Sequence, residues 1–168
     1  CAVTFTITTL DESLARRLEP GAPTPSRRIE AVRRLSEEGI PVGVRVDPII
    51  PFLNDGEVEE ILREVKDAGA VHATFSTLKP RPDGWRRLEN AFPEVCEKLR
   101  PLYFVEGERI GRSYYLPKPL RYRLMRKAAE LAERFGLSHA CCREGFPELN
   151  QAGSCDGSHL IPVKPIRE

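Results

Sequence analysis

Three strand-like stretches, each followed by a helix-like stretch, constrain this chain more than any other feature of its sequence. Apolar and polar residues alternate over residues 3–9, 41–47 and 71–78. Strands that alternate with helices predict a parallel sheet with crossover helices. The polar positions of the three strands fall on one face of this sheet: Thr4, Thr6, Thr8, Arg45, Asp47, Thr74 and Ser76.

The polar face of this sheet narrows the choice of fold. An open doubly wound sheet is buried on both faces, and its strands read as continuous apolar runs. Here only one face requires helical cover, so we expect the other to line a barrel interior that holds a polar ligand. A complete eight-stranded barrel needs about 250 residues, and this chain has 168. The sequence therefore predicts an α/β fold that forms part of a TIM-type barrel.

The pattern changes after residue 100, and we divide the chain into regions 1–100 and 101–168. The second region predicts a hairpin from Leu102 to Leu116 that turns at Glu106-Gly107, followed by a long helix from Pro119. A last strand over residues 137–142 and an irregular, cysteine-containing tail follow, with a final strand-like run from Leu160 to Val163. Earlier in the chain, Asn54 and Asp55 have side chains suited to cap a helix.

Charge and cysteine content exclude several classes of function. Lys+Arg is 26 and Asp+Glu is 25, so the net charge of +1 excludes a polycation that coats DNA by charge alone. No apolar run approaches the roughly 18 residues of a membrane span, so we expect no membrane association. Five cysteines, an odd number, favour a reducing, cytoplasmic location.

Arg45 and Asp47 are the strongest ligand-binding candidates on the polar face. They lie near the C-terminal end of the second strand, where the active sites of such barrels gather. An arginine can hold a carboxylate through two hydrogen bonds, and Asp47 could accept one from a hydroxyl or amine. Alternatively, the two form a structural ion pair. Thr6 and Thr8 could add hydroxyl groups, although threonine also simply favours strands.

The cysteines indicate metal or thiol chemistry at the same end of the sheet. Cys141 and Cys142 end the last strand, and Cys155 and His159 follow in the tail. Thiolates with imidazole are ligands for zinc or an iron–sulfur cluster. The alternative is that these are buried free cysteines. Neighbouring strand residues point to opposite faces, which disfavours Cys141 and Cys142 as paired ligands.

Residues 155–159 spell Cys-Asp-Gly-Ser-His, the signature of the CDGSH iron–sulfur proteins. That family also requires an upstream Cys-x-Cys pair and a nearby proline. This chain has Glu144, Phe146 and Gly153 at those positions, so we do not predict the CDGSH fold. A further alternative is nucleic-acid binding by the tyrosines and basic residues interleaved over residues 103–127, a mixture that suits base stacking and phosphate contact.

Four stretches carry a resemblance to a known family: residues 7–11, 18–23, 33–44 and 47–55. They read Ile-Thr-Thr-Leu-Asp, Leu-Glu-Pro-Gly-Ala-Pro, Arg-Arg-Leu-Ser-Glu-Glu-Gly-Ile-Pro-Val-Gly-Val and Asp-Pro-Ile-Ile-Pro-Phe-Leu-Asn-Asp. In this order and spacing they resemble the radical S-adenosylmethionine (SAM) enzymes related to spore photoproduct lyase, often labelled DNA repair photolyases. The resemblance is dense over residues 3–60 and thinner over 61–136.

The resemblance implies a partial barrel of six βα units, with a [4Fe-4S] cluster on a Cys-x3-Cys-x2-Cys loop after the first strand. Reductive cleavage of SAM at that cluster gives a 5′-deoxyadenosyl radical. The cysteines of this chain, at positions 1, 96, 141, 142 and 155, cannot form that loop. The chain starts at Cys1, and a strand-like run begins as early as Val3. We therefore interpret the chain as the C-terminal half of the barrel. Its partner would be the missing N-terminal half, and by itself we expect it to be inactive.

The resemblance also suggests roles for individual residues. Thr6 and Thr8 would lie near the methionine or ribose of SAM, Arg45 would contact a carboxylate or ribose with support from Asp47, and Ser76 would lie near the adenine or the substrate. Cys141 or Cys142 could donate hydrogen to a substrate radical. Alternatively, Cys142, Cys155 and His159 could hold an auxiliary zinc or iron–sulfur site. The substrate stays open, with DNA as one candidate.

Overall fold

The computed structural model describes residues 1–161, which form an α/β fold. The helices in this part of the chain are α1 (Glu12–Leu18), α2 (Pro25–Glu37), α3 (Val58–Asp67), α4 (Pro82–Ala91), α5 (Pro93–Phe104) and α6 (Lys118–Arg134). The strands are β1 (Val3–Thr6), β2 (Val42–Ile49), β3 (His72–Thr77), β4 (Glu108–Ile110), β5 (Ser113–Tyr115) and β6 (Ser138–Ala140). Three short 3₁₀ turns follow β6: Cys142–Glu144, Pro147–Leu149 and Ser158–Leu160.

Four strands form one parallel sheet in the order β1-β2-β3-β6. This confirms the predicted parallel α/β arrangement. Arg45 in β2 lies beside Thr6 in β1 and Thr74 in β3. Strand β6 comes from the second region of the chain, and Ser138 in it pairs with His72 in β3. Residues 101–161 therefore add a fourth strand to the sheet that residues 1–100 begin.

The apolar face of the sheet carries the main core, which α2, α3 and α6 cover. In α3 the buried side chains recur at helical spacing and form one stripe against the sheet: Val58, Ile61, Leu62 and Val65. The strands contribute Val44, Val46 and Phe75, each at most 1% exposed. Gly69, after α3, has φ +97°, and a Cβ there would lie 2.2 Å from Ser36 Oγ, so glycine is required.

A second core lies beyond the C-terminal ends of β2 and β3, where α4, α5 and the β4–β5 hairpin meet. Trp85 packs edge-on against Tyr103, with ring centroids 6.0 Å apart. The hydroxyl of Tyr103 donates to the carbonyl of Leu78, just past β3, at 2.8 Å. Cys96 is buried in this cluster. Helices α4 and α5 are thereby anchored to the edge of the sheet where the candidate site lies.

The hairpin differs from the sequence prediction. The chain does not turn at Glu106-Gly107, because α5 continues through Phe104 and places Tyr103 in the second core. The turn falls instead at Gly111, whose φ of +61° suits a tight hairpin. The apolar run that begins at Leu102 therefore belongs to the last turn of a helix rather than to a strand.

The predicted helix caps at Asn54 and Asp55 are also wrong, because α3 begins at Val58. Asn54 is buried and has another use. Its Oδ1 accepts from the amide of Ile50 at 2.7 Å, and its Nδ2 donates to the carbonyl of Thr8 at 2.7 Å. Asn54 therefore joins the segments that leave β1 and β2, at the C-terminal edge of the sheet.

The end of the described chain also differs from the sequence prediction. The predicted strand at Leu160 to Val163 is replaced at Leu160 by a 3₁₀ turn, and residues 162–163 lie outside the described part of the chain. Over residues 1–161, none of the helices combines the length and the apolar character needed to cross a bilayer.

The packing of α3 predicts a strong effect of truncating its buried stripe. Leu62→Ala should lower the free energy of unfolding by about 2–5 kcal/mol, because Leu62 is fully buried and its removal leaves a cavity. Urea denaturation measures this change. Glu60→Ala, at an exposed position on the same helix, should change stability by about 0.5 kcal/mol or less. Equal losses in the two variants would contradict the assigned core.

Candidate functional site

The C-terminal edge of the sheet opens into a cleft of about 580 Å³. Its walls come from the segments that follow three strands, represented by Thr8 after β1, Pro48 at the end of β2, and Leu78 after β3. Helices α1 and α4 close the sides. Ligands of parallel α/β sheets bind beyond the carboxyl ends of the strands, and volumes of roughly 300–1,000 Å³ are typical of small-molecule pockets.

The predicted polar face is present and forms rows across the sheet. One row runs from Thr6 through Arg45 to Thr74, which are paired neighbours in β1, β2 and β3. The next row toward the N-terminal ends holds Thr4, Gly43 and His72. The sequence alternation therefore correctly placed Thr6, Arg45 and Thr74 together.

Arg45 and Asp47 form an ion pair, with Arg45 Nη2 3.0 Å from Asp47 Oδ2. The arginine side chain retains 34% of its exposure and the aspartate 16%. Arg143 approaches the same carboxylate at 3.6 Å. Two guanidinium groups thus face one carboxylate, which leaves a net positive charge suited to an anionic group of a ligand.

A buried carboxylate lies at this edge, that of Glu144, whose side chain is fully buried. It accepts hydrogen bonds from the Thr77 amide at 2.6 Å and from Ser76 Oγ at 3.0 Å. The Lys79 ammonium forms an ion pair with it, and Arg121 Nη1 lies 3.5 Å from its second oxygen. Glu144 thus binds the first turn after β6 to the end of β3.

The environment keeps Glu144 charged. Burial acts to raise its pKa, but the Lys79 ammonium and the hydrogen bonds from Thr77 and Ser76 outweigh burial and hold the pKa below its ordinary value. Burial also lowers the pKa of Lys79, and the charge of Glu144 opposes that shift. The pair is a buried salt bridge whose two partners require each other.

Ser76 and Thr8, both predicted to contact a cofactor, already have partners. Ser76 is 1% exposed, and its hydroxyl contacts Glu144 and Lys79. Thr8 lines the cleft and donates to Glu19 Oε2 at 3.1 Å. Glu19 is held in turn by Arg28 at 2.9 Å. Thr8 is therefore at the cleft wall, whereas Ser76 lies behind it.

The adjacent cysteines have different environments. Cys141 is 1% exposed and belongs to the main core, and burial raises the pKa of its thiol to about 12. Cys142 is exposed, and burial and the neighbouring Cys155 raise the pKa of its thiol. Of the two predicted catalytic cysteines, only Cys142 is open to a ligand.

The tail folds back over the N-terminal half of the polar face. Thr74 Oγ1 donates to the Cys155 carbonyl at 2.6 Å. The ring of His159 meets the ring of His72 edge-on, with centroids 4.7 Å apart. Gly157, at φ +81°, lies close to Thr4. The segment from Cys155 to His159 therefore covers the end of the polar face that is remote from the cleft.

The predicted metal ligands are only partly assembled. Cys142 and Cys155 are neighbours, but His159 Nδ1 lies 2.7 Å from Ser154 Oγ and its ring packs on His72. Within residues 1–161, His, Cys, Asp and Glu side chains do not gather in any group of three arranged to hold a metal ion.

The tyrosine- and arginine-containing stretch contributes partly to the interior. Arg121 is 2% exposed and forms an ion pair with Glu108 at 2.7 Å. Tyr103 is buried in the second core. The exposed basic residues left on α6 include Arg123 and Lys127.

Sequence reasoning missed the Glu144–Lys79 pair and Arg143. Glu144 was considered only as a substituted CDGSH position, and no local pattern joins it to Lys79, 65 residues away. A usable signal was the sequence Ser-Thr-Leu-Lys across the C-terminal end of a buried strand, where parallel sheets place functional groups.

Comparison with known proteins gives relatives but no function. The chain is 31% identical over 160 residues to an uncharacterized protein of Mycobacterium tuberculosis, which covers 92% of this chain and 43% of that protein. It is 41% identical over 113 residues to an uncharacterized protein of Acidianus two-tailed virus, covering 64% and 36% of the two chains. An uncharacterized protein of Methanocaldococcus jannaschii is 34% identical over 96 residues, covering 56% and 36%.

The chain thus spans less than half the length of these relatives. No model of a known protein family matches it. The search of solved structures also found no match.

The Glu144 network predicts a large loss of stability on truncation. Glu144→Ala should lower the free energy of unfolding by about 3–5 kcal/mol, because Lys79 would be left buried without its partner. Glu130→Ala removes an exposed pair with Arg126 and should cost about 1 kcal/mol or less. The double variant Glu144→Leu with Lys79→Met should be more stable than Glu144→Ala alone, measured by urea denaturation. A loss of stability in Glu144→Ala no larger than that in Glu130→Ala would contradict the stabilising role of the Glu144 network.

His72 predicts a pH dependence of stability. Burial, aided by the nearby His159, lowers its pKa from 6.5 to about 4. Between pH 6.5 and 4, His72 binds a proton in the unfolded chain but not in the folded protein. The contribution of His72 to the free energy of unfolding is therefore fully present above pH 6.5 and is lost as the pH falls to 4. The loss should approach about 3 kcal/mol. Urea or thermal unfolding across this pH range measures the change. The free energy of unfolding should fall less with decreasing pH in His72→Asn than in His159→Asn. An identical pH dependence in the two variants would contradict the role assigned to His72.

Proposed function

We propose that this chain is the C-terminal half of a radical SAM enzyme of the spore photoproduct lyase-like group, and that its four-stranded sheet is part of a partial (β/α)6 barrel. The observation that carries the proposal is the one-sided helical cover of the parallel sheet. Helices α2, α3 and α6 pack on the apolar face, whereas the other face carries the row of Thr6, Arg45 and Thr74, in which the tail covers Thr74 and Arg45 stays partly exposed. In a barrel that face points to the interior.

The free edge of β1 supports the same proposal. Strand β1 stands at the end of the sheet order and pairs only with β2 among residues 1–161. A groove runs beside it, lined by Phe5, Pro23, Arg27 and Ala31 among others. A further βα unit could pair with this edge and pack along α2. The greater length of the relatives leaves room for such units, as the proposal of a missing N-terminal half requires.

The residues fit SAM but not the cluster. Arg45 and Arg143 flank Asp47 and offer positive charge for a carboxylate, while Asp47 can accept from an amine or ribose hydroxyl. Thr6 and Thr8 lie on the same side of the sheet and can supply hydroxyl contacts. The cysteines do not provide a Cys-x3-Cys-x2-Cys loop, so in this proposal the ligands of the [4Fe-4S] cluster lie outside the chain.

The chemistry supplied when cluster and SAM are bound together is formation of a 5′-deoxyadenosyl radical. The part of this chain is to bind and orient SAM. Arg45 would hold the carboxylate of SAM against the sheet, and the ion pair with Asp47 limits the movement of the Arg45 side chain. The cleft beyond Thr8 and Pro48 would receive the substrate. Cys142, exposed at the same edge, is positioned better than buried Cys141 to give a hydrogen atom to a substrate radical. A DNA photoproduct is one proposed substrate.

One observation favours a second function. Cys155 lies near enough to Cys142 to raise the pKa of the Cys142 thiol, so two metal-binding groups lie in one region, as a small zinc or iron–sulfur module would require. His159 would have to leave Ser154 to join them. Cys155→Ala should then lower the metal content of the purified protein relative to Cys96→Ala, and equal metal contents would contradict this second function.

The main proposal predicts that activity requires more than this chain. After anaerobic reconstitution with iron and sulfide and addition of SAM and a reductant, residues 1–168 alone should give no 5′-deoxyadenosine. The longer gene product that contains this segment should give it, as measured by liquid chromatography and mass spectrometry. Formation of 5′-deoxyadenosine by residues 1–168 alone would contradict the proposal. So would a longer product that lacks the cysteine triad or stays inactive.

A further inference from the structure

The cleft at the edge of the sheet has an apolar floor and a basic rim. Five apolar side chains contribute to its lining: Leu18, Ile50, Leu78, Leu88 and Phe92. Three arginines and a lysine line the same cleft: Arg17, Arg81, Arg87 and Lys79. Its acidic residues are Glu19 and Asp83. A cleft of this composition suits a ligand with both an apolar body and an anionic group.

Some of the charged side chains that line the cleft are neutralised by ion pairs with neighbouring residues. Lys79 is neutralised by Glu144, and Glu19 by Arg28. Arg17 packs over the ring of Phe92 and donates to the Ala91 carbonyl, so it meets no carboxylate there. What remains at the rim is an excess of positive charge.

Arg81 and Arg87 make up the rest of this excess. In the part of the chain that the structure describes, neither takes part in an ion pair, and both are exposed. Asp83 is the one acidic residue of the cleft outside a described ion pair. The rim therefore holds three arginines against one carboxylate, in a chain whose net charge is only +1.

The start of α4 adds hydrogen-bond donors to the same rim. Arg81 is its N-cap residue, Pro82 follows, and no side chain of the described residues caps its first turn. The first amide groups of a helix lack intrahelical acceptors and favour anions. Gly84 lines the cleft, and the space where its Cβ would stand is open. A ligand oxygen can therefore approach the backbone of this turn closely.

From these features we infer that the cleft binds a phosphate ester with an apolar or aromatic body. Its phosphate lies between Arg81, Arg87 and the first turn of α4, and its body lies on Ile50, Leu88 and Phe92. Arginine and free helix amides together suit phosphate oxygens. The inference does not rest on the proposed radical chemistry, because it concerns binding to residues 1–168 alone.

The first arm of the test compares two probes that differ only in the phosphate. Isothermal titration calorimetry of the 168-residue chain should show adenosine monophosphate binding at least about tenfold more tightly than adenosine, since charge-assisted hydrogen bonds are lost without the phosphate. Equal affinities for the two probes, or no binding of adenosine monophosphate, would overturn the inference.

The second arm of the test uses variants of both basic and acidic residues of the cleft. Arg81→Gln and Arg87→Gln should each weaken adenosine monophosphate binding by about three- to tenfold. Asp83→Asn should strengthen it, because the variant removes the opposing carboxylate. Arg123→Gln, at an exposed arginine on α6 outside the cleft, is the matched control and should bind like the unaltered chain. Circular dichroism confirms that the variants fold.

The pattern among the variants decides the result. Losses of affinity in Arg81→Gln and Arg87→Gln that are no larger than in Arg123→Gln would assign the binding to diffuse charge and overturn the inference.

A third arm of the test distinguishes the source of the phosphate. Tighter binding of a single-stranded oligoadenylate than of adenosine monophosphate, lost in the same variants, assigns a nucleic-acid strand, and preference for the monophosphate assigns a free nucleotide. Failure here leaves the 5′-deoxyadenosine experiment unaffected.

Discussion

The difference between the two faces of the parallel sheet governs the rest of this structure. Buried strands stabilise a sheet through the apolar area that helices remove from water, and α2, α3 and α6 provide this on one face. The other face carries hydroxyl groups and the Arg45–Asp47 pair, which a helix could cover only by desolvating them. The tail covers part of that face at His72 and Thr74, and the strand ends beyond it open into the cleft.

Glu144 connects this sheet to the segment after β6. A fully buried carboxylate is tolerated only because Lys79, Ser76, Thr77 and Arg121 surround it. Through these contacts the turn that carries Cys142 and Arg143 is held at the same edge as Asp47. The network thus uses burial and charge to bring groups from β2, β3 and the segment after β6 to one place, although they are far apart in sequence.

The sequence predicted what depends on local periodicity. Alternation in β2 and β3 correctly identified the buried Val44 and Phe75, and the polar Arg45 and Thr74, because each strand residue points opposite to its neighbour.

Features that depend on tertiary contacts could not be predicted in this way. Tyr103 was predicted to lie in a hairpin strand, within an apolar run of strand-favouring residues, whereas it lies in α5 and packs against Trp85. Asn54 looked like a helix cap, yet its amide joins two loops 46 residues apart in sequence. The partner of Glu144 could not be predicted either, since its recognition requires the fold itself.

The central claim is that the polar face forms one wall of a SAM site, and equilibrium dialysis of SAM tests it most directly. The measurement uses the longer gene product that the proposal predicts, reconstituted anaerobically. Arg45→Gln should weaken SAM binding by about tenfold, as expected for loss of a charge-assisted hydrogen bond. Arg63→Gln, at an exposed arginine on α3, should leave it unchanged. Equal affinity of the two variants would contradict the claim that this face binds SAM.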